Sequence, residues 1–420
     1  MSDYDWQHSI LEGIGTRIEV LAELYPRLYL LLMVVFALLG YACLLLFPWL
    51  ALVGVAGAYQ ALVTAPEVAW LSLFTWLLVA GYCGLVSYRL FQFRPSLPAG
   101  VVLEQRQAPA LFQLVEDTRA HYACPGIDRI VITRDYQLDV VNTPVSALPV
   151  WSTRSLLVGL PLLQCLSMTR FQCALARRLG QNSRHGNRLL NWLYTLRSTW
   201  PRYRDPAIWT DRTYLPVRAV FSIYASLYTM LGTAAARMDE LQADSYAMEL
   251  FSDEDVLDAI TTDAVYRLFL RERYWPTIRK LREQDGSVVT NANARMATVL
   301  NAGLQAGNIT RWIEQALSAE QSWDDPWPLL VRRLENIGHA RASMNTGKVE
   351  PAAEGYLAMS RPELEAALAH LPPPQRPQDQ PWSARLIGLR QTVQTATHGL
   401  LRRLKNMSSP GGPMDRGIQS

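Results

Sequence analysis

Two segments carry the residues whose types and spacing could do chemistry. The first is ALARRLGQNSRHG, residues 174–186, in which Arg177 and Gln181 lie four positions apart. Side chains at that spacing share one face of a helix, so two histidines there would hold one divalent metal ion. Arginine offers only hydrogen-bond donors, and an amide oxygen is a poor zinc ligand compared with imidazole. The segment therefore has the layout of a metal-binding helix without the ligands.

The second segment is ARMDELQADSYA, residues 236–247, in which Glu240 and Asp244 are also four positions apart. It lies near the end of a helical pattern from Pro216 to Phe251, which predicts one long helix. Surface or capping carboxylates on that helix are the simplest interpretation of the pair. The other interpretation is that both carboxylates face the arginines of the first segment.

Three further segments stand before and after these two helices in the sequence. GLPLL (159–163) precedes the first helix, while RERYWPTIRK (271–280, with Trp275) and DPWPLLVRRL (325–334) follow the second. Over roughly residues 100–345, this order resembles the HtpX-like and CAAX-prenyl-protease metallopeptidases, metallopeptidase family 48. In that family the first helix reads AHELGH, and an E-x-x-A-D element on the later helix supplies the third zinc ligand.

The resemblance implies a degenerate site. Glu240 matches the zinc-ligating glutamate, and Asp244 matches the carboxylate that supports the first histidine. Arg177 replaces the first histidine, Arg178 replaces the catalytic glutamate, and Gln181 replaces the second histidine. Loss of the metal removes the activated water, and loss of the carboxylate at position 178 removes the general base. We therefore expect no catalytic residue, no metal and no other cofactor.

Two other positions bear on the resemblance. Trp327 replaces the histidine of the family's D-x-H-P segment, and His185 matches a histidine that is not a ligand. A substitute metal set would combine Cys173 and His185 with the two carboxylates. Because Cys173 and His185 are about 18 Å apart along a helix, that set requires the helix to break.

An ion pair is our hypothesis for what replaces the metal. An unpaired buried carboxylate at Glu240 would cost several kcal/mol, and the guanidinium of Arg177 can bind a carboxylate with two parallel hydrogen bonds. We predict that an Arg177–Glu240 pair holds the two helices together. The alternative is a solvated basic helix face made of Arg170, Arg177, Arg184 and Arg188.

Two uncharged windows predict a membrane anchor: residues 28–47 and residues 68–88. Each is close to the ~20 residues that a helix needs to cross a bilayer. The apolar stretch after Pro48 predicts a kinked extension of the first span. Arg27 before the first span, and Arg89, Arg94 and Arg106 after the second, favour cytoplasmic ends, and we expect a bacterial inner membrane. A buried helical hairpin is the alternative.

The remaining pattern predicts a mainly α fold with a small β element (α+β), and the family resemblance implies that this is a zincin-like domain behind two transmembrane helices. An amphipathic helix is predicted at 108–122, and strands at 129–133, 137–141 and 155–159. Thr169 is the predicted N-cap of the first site helix. Other helices are predicted near 253–284, 309–320 and 326–338.

Composition and boundaries complete the prediction. A net charge of +3 gives no electrostatic case for nucleic acid, and five cysteines without C-x-x-C spacing argue against a disulfide framework or zinc ribbon. The predicted regions are a cytoplasmic segment (1–26), the anchor (27–92), a metallopeptidase-like domain (93–345), a proline-rich linker (371–381), a basic amphipathic helix (382–407) and a disordered tail (408–420).

The terminal helix is predicted to lie on a membrane surface or, equally, to cover part of the domain. Its basic face consists of Arg385, Arg390, Arg402, Arg403 and Lys405. The family resemblance implies the function of a pseudopeptidase, a scaffold or regulator of membrane-protein quality control. Its expected partners are lipid and membrane proteins or unfolded polypeptide. The alternatives are an active zinc metalloendopeptidase with atypical ligands, and a membrane-tethered helical module that binds lipid or protein.

Overall fold

The computed structural model describes most of the chain up to residue 369. The described ranges are 3–64, 70–92, 99–144, 152–183, 214–284, 292–304, 306–321, 325–345, 350–357 and 361–369, with a few positions from 189 to 200. The chain divides into two compact units, Ile10–Pro373 and a combination of Met1–Ser9 with Pro374–Ser420. The predicted linker, basic helix and tail lie outside the described residues, as do Arg184, His185 and Arg188.

The N-terminal part is built from three helices: α1 (Asp3–Leu24), α2 (Pro26–Thr64) and α3 (Trp70–Gln92). Helix α2 continues through Pro48, so the first predicted span and its extension form one helix of 39 residues. Such a helix is about 58 Å long, nearly twice the ~30 Å hydrocarbon core of a bilayer, so it must tilt or extend beyond that core.

Small residues let α2 and α3 approach closely. A Cβ added at Gly54 would come within 2.8 Å of the backbone nitrogen of Ala80. A Cβ at Gly57 would lie 2.5 Å from the ring of Trp76. The outer faces of the pair are apolar and open, with Leu52 70% and Leu71 79% exposed. Large aliphatic side chains at that exposure require lipid rather than water around them.

A four-stranded mixed sheet follows, made of β1 (Val101–Val102), β2 (Arg129–Thr133), β3 (Leu138–Pro144) and β4 (Ser152–Gly159). The strand order is β1-β2-β4-β3, with β2 and β4 parallel and the other pairs antiparallel. Helix α4 (Pro109–His121) lies between β1 and β2 in the chain. The three predicted strands are confirmed, whereas β1 is too short to leave a periodic pattern.

Two helices dominate the site region: α6 (Met168–Gln181), which follows α5 (Leu160–Cys165), and α7 (Leu215–Met248). The N-cap prediction for α6 was wrong: Ser167, in an extended conformation, accepts a hydrogen bond from the backbone nitrogen of Arg170, and Thr169 lies inside the first turn. The hydroxyl of Ser167 satisfies an N–H that the first turn leaves without a partner.

Shorter helices complete the domain. The predicted helical run 253–284 consists of α8 (Asp253–Phe269), a π-helical turn (Leu270–Tyr274) and α9 (Trp275–Gln284). The others are α10 (Ala292–Gly303), α11 (Ala306–Leu317), α12 (Leu330–Asn336), α13 (Ala352–Tyr356) and α14 (Arg361–Ala369). Helix α12 begins later than predicted because Pro326 and Pro328 disfavour helical geometry in the residues before them.

The structure adds a third candidate to the two predicted spans. Among the described residues, three helices are long and apolar enough to cross a membrane, and the third is Val217–Met248 within α7. The sequence pattern predicts this segment only as part of one long helix, from Pro216 to Phe251. The chain is a membrane protein, mainly helical with a small mixed sheet.

Helix α7 joins two hydrophobic clusters. Its first half packs with α2 and α3 around residues such as Tyr29, Val86 and Phe221. Near its end, Ala247 belongs to the core of the domain. Tyr29 marks the change, since its hydroxyl donates to the carbonyl oxygen of Leu231 at 2.5 Å and accepts from the backbone nitrogen of Ala235 at 3.1 Å.

Candidate functional site: a buried arginine and carboxylate cluster

Helices α6 and α7 pack against each other at the positions that the sequence singles out. Arg177 Nη2 on α6 lies 3.0 Å from Glu240 Oε2 on α7, so the structure brings the proposed pair together. One turn further along α6, Gln181 Nε2 donates to the carbonyl oxygen of Asp239 at 3.0 Å. Both residues of the predicted metal-type face therefore contact the helix that carries Glu240.

Arg178 has a role that sequence reasoning missed. Its Nη1 lies 2.5 Å from Glu240 Oε1 and 2.9 Å from Gln181 Oε1. Arginines at adjacent positions of a helix point in different directions, so spacing alone did not suggest that Arg177 and Arg178 share one carboxylate. As a result, a guanidinium is bound to each carboxylate oxygen of Glu240.

Asp244 is also held by two arginines. Arg333 of α12 donates from Nε to Oδ2 at 2.9 Å and from Nη2 to Oδ1 at 2.8 Å, the bidentate geometry of a strong arginine–carboxylate pair. Arg177 Nε lies 2.6 Å from Oδ1, but its N–H does not have hydrogen-bond geometry toward that oxygen. This contact is therefore an ion pair. Arg333 was missed, although it stands in the DPWPLLVRRL segment noted above.

A third carboxylate, Asp263 of α8, extends the network. Arg267, one turn along the same helix, donates from Nε to both oxygens of Asp263 at 2.9 and 3.0 Å, and Arg333 Nη1 is 3.6 Å from Asp263 Oδ2.

The ring of Trp327 stacks against the guanidinium of Arg267. The distance from Cζ of Arg267 to the ring centroid is 3.7 Å, and that from Cζ of Arg178 is 4.9 Å. Trp327 is thus a cation–π partner rather than an ordinary core aromatic, whereas Trp275 packs at the edge of the core.

We call this group the arginine cluster. It contains four guanidinium groups and three carboxylates: Arg177, Arg178, Arg267, Arg333, Glu240, Asp244 and Asp263. Residues from α6, α7, α8, α12 and the loop before α12 meet there. Removing one member of a buried pair typically costs about 3–5 kcal/mol, because it leaves an uncompensated charge.

Burial and neighbouring charges shift the titration of these groups. Burial lowers the pKa of Arg177, and the positive charge of Arg333 adds to that effect. Burial alone would raise the pKa of Asp263, but Arg267 and Arg333 outweigh it and lower the pKa to about 2. For Arg333, burial works against the charged form, yet the carboxylate of Asp244 raises its pKa above the usual value.

Arg170, a member of the predicted basic face, forms a separate buried pair. Its Nε and Nη2 donate to Asp258 at 2.7 and 2.8 Å, and Nη2 also donates to the carbonyl oxygen of Asn345 at 2.6 Å. Arg170 is 4% exposed and Arg177 is 5% exposed. The interpretation of a solvated arginine face is therefore wrong for these two residues.

The side chains of the cluster do not fit a zinc ion. Zinc requires lone pairs from imidazole, thiolate or carboxylate, whereas Arg177 and Arg178 offer only donors and already bind both oxygens of Glu240. Burial raises the pKa of Cys173 to about 12, which keeps its thiol protonated. Within the described ranges, no group of three or more His, Cys, Asp or Glu side chains could hold a metal ion.

No protein-family model matches this chain, and no curated protein or solved structure matches it either. The chain is therefore characterised by its own features: a mainly helical membrane protein in which guanidinium–carboxylate pairs join α6, α7 and α12.

Proposed function

We propose that this chain is a membrane-anchored pseudopeptidase of the HtpX-like type that acts as a scaffold or regulator in membrane-protein quality control. One observation carries the proposal: guanidinium groups from Arg177 and Arg178 bind both oxygens of Glu240, the residue that matches the family's zinc ligand. The face of α6 that would bind a metal ion in the family instead contacts α7. In this proposal, the fold keeps a polypeptide-binding role after the chemistry is lost.

The arrangement of α6 and α7 supports the family assignment. Positions 177 and 181 are one turn apart, and both contact α7 at residues 239 and 240. A metal site of the HExxH type needs this arrangement, with two positions on one helix facing a carboxylate on another. In the same proposal the anchor lies in a bacterial inner membrane with both termini in the cytoplasm.

Rebuilding the motif tests the assignment. The triple variant Arg177→His, Arg178→Glu, Gln181→His is expected to bind one zinc per chain when purified in detergent, and the wild type far less than one. The matched control adds Glu240→Ala to the triple variant and is expected to lose the zinc. If the triple variant binds no more zinc than the wild type, α6 and α7 are not a former metal site.

Polypeptide binding tests the proposed role. The wild-type chain is expected to bind a reduced and carboxymethylated polypeptide without cleaving it, as measured by fluorescence anisotropy and electrophoresis. Cleavage that phenanthroline abolishes would instead favour the active zinc endopeptidase. Absence of binding to the polypeptide, together with liposome binding by the whole chain that is lost on deletion of residues 382–407, would favour the lipid-binding module.

A further inference from the structure

A small cavity lies beside the arginine cluster, between α6, α8 and strand β3. Its volume is about 20 Å³, which exceeds the ~10–15 Å³ that one water molecule needs. The charged side chains in its wall are Arg170, Arg177, Arg178, Arg267 and Asp263, and the rest of the wall is apolar. The cavity therefore has room for at least one species of the size of a water molecule.

The wall of this cavity is rich in guanidinium groups. It combines four of them with one carboxylate, and three belong to residues that are 4–6% exposed. Their other carboxylate partners, Asp258, Glu240 and Asp244, contact them from outside the cavity wall. Arg333, which pairs with Asp244 and Asp263, brings the set to five guanidinium groups and four carboxylates. Charges interact more strongly in such a poorly solvated place than in water, so this excess of one positive charge favours a monovalent anion.

One donor in the wall makes no hydrogen bond. The Nε–H of Arg177 is buried, and although Nε is ion-paired with Asp244 Oδ1 at 2.6 Å, the N–H has no hydrogen-bond partner of acceptable geometry among the described residues. Buried N–H groups of this kind are rare because each costs free energy when it is left unsatisfied. An acceptor in the cavity that this side chain lines would supply a partner.

We propose that the cavity binds a single small monovalent anion of the size of chloride. Chloride is a monatomic ion only slightly larger than water, whereas phosphate, sulfate and carboxylates are polyatomic and need more room. The anion offsets the excess of guanidinium charge in the cavity wall and so stabilises the packing of α6 against α8. This inference does not depend on the proposed function, since it rests on the cavity and its charges alone.

Thermal unfolding of the full-length protein in detergent tests the proposal. At constant ionic strength, exchange of sodium gluconate for sodium chloride or bromide is expected to raise Tm by a few degrees, and the rise is expected to grow with the logarithm of halide concentration. Sulfate stabilises proteins in general because it is excluded from their surfaces, so a rise of Tm in sulfate does not count as binding in the cavity. Equal Tm values in gluconate and chloride would overturn the proposal.

Variants localise the effect. Ala259 of α8 lines the cavity, so Ala259→Val fills part of it without a change in charge and is expected to abolish the halide response. Ala264 lies on the same helix, packs against the core and is not in the cavity wall, so Ala264→Val is expected to retain the response. A full response in Ala259→Val would place the halide elsewhere and contradict the proposal.

A second variant covers the case in which Ala259→Val does not fold. Arg267 lines the cavity with its side chain 26% exposed, so Arg267→Gln removes one positive charge at the most accessible part of the wall. The Kd for halide, fitted from the dependence of Tm on halide concentration, is expected to increase at least tenfold. An unchanged Kd would overturn the proposal in the same way.

Discussion

In a water-soluble protein, aliphatic side chains are mostly buried and charged side chains are mostly exposed. The membrane-facing helices depart from the first rule, and the arginine cluster departs from the second. On α2 and α3, large aliphatic side chains such as Leu52 and Leu71 are more than two-thirds exposed. In the cluster, Arg177, Arg178 and Arg333 are 3–6% exposed. Exposed aliphatic groups are stable only in lipid, and buried guanidinium groups only beside carboxylates. The two regions are therefore stable in different environments: α2 and α3 need lipid around them, and the cluster needs carboxylates beside its guanidinium groups.

Helix α7 belongs to both regions, which makes the comparison testable within one element. Its first half packs on α2 through apolar side chains, with Tyr29 bound to its backbone at Leu231 and Ala235. Its last turns supply Glu240 and Asp244 to the cluster. Substitutions in the two halves should therefore differ greatly in their effect on stability.

The largest effect is expected for Asp244→Asn. Asp244 is fully buried and bound by both Arg333 and Arg177, so the variant leaves Arg333 with only the more distant Asp263, at 3.6 Å, and Arg177 with only Glu240. The expected loss of unfolding free energy is about 3–5 kcal/mol, measured by denaturant or thermal unfolding in detergent. The matched control Glu249→Gln changes an exposed carboxylate just after the same helix, and its expected effect is below about 0.5 kcal/mol. Equal effects for the two variants would contradict the account of the cluster.

Arg177→Ala is expected to cost less, about 2 kcal/mol, which is the typical value of hydrogen bonds to a charged group. Glu240 keeps Arg178 and Asp244 keeps Arg333, so no carboxylate is left unpaired. Arg332→Ala provides the control because its side chain is 52% exposed and its pairs lie at the surface; its expected cost is below about 1 kcal/mol. A loss as large as that of Asp244→Asn would show that Arg178 and Arg333 do not compensate.

Acid should destabilise the cluster in a defined range. The pKa of Asp263 is lowered to about 2 in the folded protein, so the unfolded chain, with a pKa near 3.9, binds more protons between these values. The stabilising contribution of about 2–3 kcal/mol is complete above pH ~5 and is lost progressively as pH falls through ~2. Asp263→Asn is expected to make the acid limb of a stability–pH curve less steep. An unchanged acid limb would contradict the pairing of Asp263 with Arg267 and Arg333.

The smallest effect is expected in the membrane-facing region, for Tyr29→Phe. Tyr29 is 3% exposed, and the substitution removes one hydroxyl between α2 and α7. Hydrogen bonds between membrane helices average about 0.6 kcal/mol, and a loss of that size is expected in detergent micelles. Tyr59→Phe, at a position that is 68% exposed, should leave Tm unchanged. A cost above that of Arg177→Ala would reverse the ranking of the two regions.

Periodicity predicted the regular elements but not how they share charges. Strand β2 was predicted at its observed boundaries, and the apolar windows predicted α2 and α3, because these patterns are local. The third apolar helix was predicted as one long helix, from Pro216 to Phe251, but not as a candidate span. Periodicity also cannot predict contacts between distant segments, such as the hydrogen bonds between Arg333 and Asp244, which are 89 residues apart in the sequence. Arg177 opposite Glu240 could be proposed only because a family resemblance linked their helices.

The most direct test of the account is metal content combined with thermal unfolding of the wild-type protein. If guanidinium–carboxylate pairs hold α6 to α7, the purified chain contains far less than one transition metal ion, and a chelator leaves its Tm unchanged. One tightly bound transition metal ion per chain, whose removal by the chelator lowers Tm, would contradict it.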